Sequence, residues 1–136
     1  MRQVKAWTVV LASVAYVIVG MGTATLARAA SSPAGVKAWR LAAWLFSLAV
    51  FGIHLAIERG RGGRRLSVAI HVACAVALGA CALAALGPVR GHWGEPHFLK
   101  LTALSLVAWP ILTGVPAFAV ALVVGVVLDR AETGTR

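Results

Sequence analysis

The sequence is poor in acid: four Asp and Glu residues stand against thirteen Lys and Arg, a formal net charge of +9 over 136 residues. On a soluble surface such a surplus would point to nucleic acid. Only 12% of the residues are charged, however, so there is almost no polar surface to carry such a site, and nucleic acid is excluded as a partner. Cysteine is equally scarce. Cys74 and Cys81 lie seven apart in one apolar stretch, which is neither a disulfide framework nor a CxxC redox pair, and they read as small buried hydrophobes.

The positions of the acids matter as much as their number. All four fall at the ends of apolar runs or in turns, which disfavours small proton-coupled exporters that depend on a carboxylate buried in a helix. Paired reactive cysteines near a membrane surface are missing, which argues against a disulfide oxidoreductase. The rich set of buried Arg, Asn and Glu expected of a glutathione-conjugating membrane enzyme is missing as well. With no catalytic set, the sequence reads as non-enzymatic.

What the sequence does contain is hydrocarbon. Apolar residues make up 60% of the chain, concentrated in four stretches, at about residues 7–29, 36–57, 66–86 and 98–128. Each reaches the ~20 residues needed to cross ~30 Å of bilayer core at a rise of ~1.5 Å per residue. Lipid offers no partner for unpaired backbone groups and the stretches lack the alternation of barrel strands, so all four are expected to be helices. Short connections make sequential helices antiparallel. The fold class that follows is an all-α integral membrane bundle of four transmembrane helices, up-down-up-down, forming one domain over residues 1–136.

The first stretch follows a basic start, Arg2 and Lys5, and ends near a small-x-small triplet, Ala27-Arg28-Ala29. It is longer than the ~7–15 apolar residues of a signal peptide and is expected to be a retained span. The fourth is about 46 Å long if straight, and Pro110 and Pro116 within it predict a kink, since each removes an amide donor and crowds the carbonyl four residues back.

Basic residues set the expected orientation. Arg2, Lys5, Arg59, Arg61, Arg64, Arg65, Arg130 and Arg136 fall on one side; Arg28, Lys37, Arg40, Arg90 and Lys100 fall on the other. This places both termini and the turn Glu58–Arg65 in the cytoplasm, in the inner membrane of a bacterium. Trp7 at one edge and Trp39, Trp44 and Trp93 at the other fit an aromatic belt at the two interfaces.

Polar residues repeat at spacings of three, four and seven, one stripe per helix: Ser13, Tyr16, Gly20 and Thr23; Arg40, Ser47, His54 and Glu58; Ser67, His71, Cys74 and Cys81; Thr102, Ser105 and Thr113. Polar groups are costly in lipid, so the stripes are expected to face one another. The third stretch is rich in small residues, among them Ala73, Ala77, Gly79 and Ala80. With Gly20 and Gly22 of the first, these are the candidate helix-packing positions, and the third helix is the expected centre of the bundle.

His54 and His71 are the candidate cofactor ligands. Both lie an estimated ~6–9 Å below the same arginine turn, and two neutral imidazoles at one depth suit the axial positions of a b-type haem. Ala49, Gly52, Ala69, Ala73 and Ala75 are the small residues that would leave room for it. Arg59, Arg61, Arg64 and Arg65 are candidates to contact its propionates or lipid headgroups. The turn Gly91-His92-Trp93-Gly94-Glu95-Pro96-His97 holds acceptable zinc or copper ligand types, but its spacing matches no specific site, and it reads as an interfacial loop.

The expectation is a non-enzymatic accessory or scaffolding subunit without a cofactor, partnered by membrane lipids and by other membrane subunits or by itself as a homo-oligomer. The alternatives are a haem-carrying electron-transfer subunit and a small transporter working at the Pro110–Pro116 break.

Overall fold

The computed structural model describes residues 2–86 and 98–134, and they form four α-helices: α1 (Arg2–Ala29), α2 (Pro33–Gly60), α3 (Arg65–Leu86) and α4 (Phe98–Gly134). The loop with His92, Trp93, Glu95 and His97 lies outside the described residues. Runs long and apolar enough to cross a bilayer occupy all four helices: Ala6–Ala29, Pro33–Gly60, Arg65–Leu86 and Lys100–Ala131. The protein is a multi-pass membrane protein with an all-α four-helix bundle, and no strand occurs among the described residues.

Local chemistry moves two boundaries of α2 from where hydropathy put them. The helix begins at Pro33 because Ser32 caps it: its Oγ accepts from the Gly35 N–H at 3.1 Å and its carbonyl from the Val36 N–H at 3.1 Å. Pro33 suits the first position, where no amide donor is needed. At the other end α2 continues past Ile57 to Gly60, and the connection to α3 shrinks to Arg61–Arg64. Two glycines permit so short a turn. Gly62 adopts φ +68°, which costs glycine little, and a Cβ on Gly63 would sit 2.8 Å from Val68 Cγ2 and 3.3 Å from the Glu58 carbonyl.

The fourth helix runs unbroken for 37 residues through Pro110 and Pro116 and past Leu128 to Gly134. Between the prolines the Thr113 hydroxyl donates to the Trp109 carbonyl at 2.8 Å. That carbonyl is not one of the two that the prolines deprive of a donor, which are those of Leu106 and Leu112 four residues back; the bond is a threonine back-bond to its own helix. Neither proline breaks α4, so it is not the discontinuous helix on which the transport alternative leaned.

Contacts along the helices fix their directions. Thr8 near the start of α1 meets Glu58 near the end of α2, and Arg65 at the start of α3 pairs with Asp129 near the end of α4. The beginning of α1, the α2–α3 turn and the end of α4 therefore share one end of the bundle, the arginine end. Pairs Ser13–Ala75, Tyr16–Gly79 and Gly20–Leu83 run in step along α1 and α3, so these two helices are parallel and the order is up-down-up-down.

The third helix is the middle of the molecule: it packs most closely on α4, then on α1, while α2 lies mainly against α1. Its small residues allow this. A Cβ on Gly79 would fall 2.8 Å from Tyr16 Cβ, and one on Gly114 of α4 would fall 3.1 Å from Ala77 Cβ and 3.5 Å from the Ala73 carbonyl. Two clusters fill the interior. One joins Leu55, Val68, Ala69, Val72 and Ala121 near the arginine end; the other joins Ala12, Tyr16 and Ala75 further along. Large apolar side chains such as Trp44, Leu45, Leu104, Leu112 and Val123 cover the outside, where a bilayer supplies their solvent.

Two packing expectations change. Gly22 is exposed, with nothing within 4 Å of an added Cβ, because α1 presents Gly20 and Thr23 inward and Gly22 falls between them on the opposite side. Cys74 also faces outward, since the buried side of α3 is Val68, Ala69, Val72, Ala75 and Gly79 rather than the polar stripe.

Candidate functional site

The polar groups that matter converge at the arginine end. The last turn of α2 carries Glu58, which is only 2% exposed; the sequence reading had placed it in a solvated turn. Extension of α2 to Gly60 rotates this carboxylate inward, one turn above His54 on the same face.

Three elements supply its partners. From α1, the Thr8 hydroxyl donates to Glu58 Oε1 at 2.8 Å. From the turn, Arg61 Nη1 reaches Oε1 at 3.2 Å and Thr8 Oγ1 at 3.2 Å. From α3, His71 Nδ1 lies 3.0 Å from Oε2. Buried charge is costly unless paired and hydrogen-bonded, and here both carboxylate oxygens are engaged. The partners are less shielded: the Arg61 side chain is 37% exposed and that of His71 25%, so the site has an aqueous side and a dry side.

The dry side contains unsatisfied polar atoms. His54 is 3% exposed and both ring nitrogens lack a hydrogen-bond partner among the described residues; the hydroxyl of buried Tyr16 is in the same state. His54 sits about 6 Å along α2 from Glu58, and Tyr16 about 12 Å along α1 from Thr8. Buried polar groups without partners are rare and call for a reason such as water or a proton.

A second ion-pair set ties α4 to this end. Arg59 donates to Asp129 Oδ1 at 2.7 Å and to the Gly125 carbonyl at 3.2 Å, and Arg65 pairs with the other Asp129 oxygen. Of the candidate headgroup or propionate contacts, Arg59, Arg61 and Arg65 are thus engaged by protein carboxylates, whereas Arg64 is exposed on the turn.

The structure brings His54 and His71 to one end of the bundle, where both lie near Glu58. Ala49 and Gly52 lie on the outer face of α2, with open space at Gly52. Ala69 and Ala75 are fully buried in filled core, and Ala73 packs against Gly114. The small residues expected to leave room for a macrocycle thus lie apart, some on the outer face of α2 and some within the packed interior. Among the described residues no group of three or more His, Cys, Asp or Glu is arranged to hold a metal ion.

Thr8 and Asp129 were absent from the sequence-based candidates. Thr8 had a legible signal, lying two turns before Tyr16 on the face that also holds Ala12. Asp129 had none, because its partners come from helices distant in sequence.

No protein-family model matches the chain, and neither curated proteins nor solved structures yield a significant match.

Proposed function

We propose that this protein is a small, non-enzymatic, proton-linked transporter of a bacterial inner membrane, with Glu58 as the proton carrier. The supporting observation is a carboxylate 2% exposed inside a membrane bundle and bonded to a histidine. An ionisable group in such a place is a functional candidate by default. Its burial removes the reason for setting the proton-coupled class aside. His71, on the wetter side, exchanges protons with water. His54 and Tyr16 extend the polar path inward, and the outward faces of the helices rest in lipid. The arginine end lies in the cytoplasm, following the excess of Lys and Arg there.

The test uses the purified full chain in liposomes that contain a trapped pH dye, under an imposed potassium diffusion potential. Proton entry well above that of protein-free vesicles is expected, falling to the protein-free rate in Glu58→Gln. Equal rates in wild-type and empty vesicles would remove the proton pathway.

A second reading has its own observation. Ala49, Gly52 and Ala56 form an exposed small-residue stripe on α2, the kind of surface through which membrane helices associate. It favours an accessory subunit held in a homo-oligomer or a larger membrane assembly. Gly52→Leu would then dissociate the species seen on native gels while leaving the monomer folded; a wild-type monomer would count against it.

A further inference from the structure

At the end opposite the arginine turn, residues of α1 and α2 line a crevice of about 370 Å³. Its floor is small, with Gly20 and Ala24 of α1 facing Ala43 of α2, and Trp39 forms one wall. Arg28 and Arg40 stand at its edge. Both are exposed, and neither forms an ion pair with any described residue. The two acids whose side chains are described as ion-paired, Glu58 and Asp129, are at the other end of the molecule.

Two guanidinium groups with no carboxylate partner among the described residues, flanking an apolar crevice, suit an anion with an apolar body. Guanidinium groups suit phosphate and carboxylate geometry, and Trp39 supplies a flat apolar face. The one buried polar side chain in the lining, Thr23, is 6% exposed and donates its hydroxyl hydrogen to the Val19 carbonyl at 2.7 Å. Its hydrogen is thus committed to the backbone and it offers an anion no donor, which leaves that role to Arg28 and Arg40. The volume lies within the range of small-molecule sites, ~300–1,000 Å³.

We infer that the crevice between α1 and α2 binds a single anionic amphiphile, with its phosphate or carboxylate held by Arg28 and Arg40 and its apolar part lying over Gly20, Ala24 and Ala43 beside Trp39. The anion comes either from a lipid headgroup that enters sideways from the bilayer or from a free organic phosphate that enters from water. The site lies at the opposite end from Glu58 and does not depend on the proton reading.

Native mass spectrometry of the full chain in detergent tests this with three probes: phosphatidylglycerol, phosphatidylcholine and hexyl phosphate. One phosphatidylglycerol is expected to bind in preference to phosphatidylcholine, and the Arg28→Gln/Arg40→Gln variant should weaken it by roughly tenfold or more. Arg130→Gln, at the far end near the close of α4 and of equal charge loss per residue, should leave binding unchanged. Competition by hexyl phosphate would identify a free organic phosphate as an admissible source; binding of the lipid without such competition would assign the site to lipid. Ala43→Trp fills the crevice without altering charge and should also abolish one-to-one binding, which guards against misfolding of the double variant. Equal binding of the two lipids, or equal weakening by Arg130→Gln and by the double substitution, would overturn the site and leave only general attraction between a basic protein and anionic lipid.

Discussion

A single buried carboxylate concentrates the chemistry of this protein, and its neighbours define what each substitution does. In Glu58→Ala, Thr8 and His71 lose their shared acceptor while Arg61 turns to water. Both donors are only part-buried, so each lost bond should cost the ~0.5–1.5 kcal/mol of an ordinary hydrogen bond, and unfolding in detergent, followed by circular dichroism, should show a loss of that size. Glu58→Gln keeps the shape and one acceptor oxygen and should lose less stability, although proton entry into vesicles stops completely. That split separates a proton carrier from a structural cap: a cap would give parallel losses in both measurements. His71→Ala leaves Glu58 with Thr8 and Arg61, so its cost should remain within the ~0.5–1.5 kcal/mol of an ordinary hydrogen bond.

Helix contacts divide the glycines into two kinds that look alike in sequence. Gly79 faces Tyr16 Cβ and the Ser13 carbonyl, atoms that cannot swing away, whereas Gly22 faces open space. Gly79→Leu forces α1 from α3 and should destabilise by at least the ~1–3 kcal/mol typical of overpacking; Gly22→Leu should stay within about 0.5 kcal/mol of wild type. Similar losses for the two would mean that α1 does not pack on α3 through Gly79. The end of α4 depends on a different force. Asp129 is partly exposed and bridges Arg59 of α2 and Arg65 of α3, so Asp129→Asn should speed amide exchange over the last turns of α4. The same change should follow from raised salt, because exposed pairs are screened.

At the scale of the whole molecule, the bundle puts the arginine turn, the start of α1 and the end of α4 at one end, and orientation follows from any one of them. In a background with Cys74 and Cys81 replaced by Ala, a membrane-impermeant maleimide added to spheroplasts should label Ala34→Cys and spare Arg64→Cys; the reverse pattern would invert the topology. Composition alone determined that this chain is a four-helix membrane bundle, because hydrocarbon thickness and the need to satisfy every backbone group leave no other use for four runs of this length. Spacings of seven and four likewise placed Ser47, His54 and Glu58 on one face of α2. It did not reveal that Glu58 is buried, since a charged residue after an apolar run reads as the end of a span. Only its partners on α1 and α3, and the glycine turn that lets α2 run to Gly60, make burial affordable. The crevice beside Arg28 and Arg40 and the bridge from Asp129 to Arg59 and Arg65 were also decided by tertiary structure, as each depends on side chains from separate helices whose relative depth and rotation no local pattern encodes.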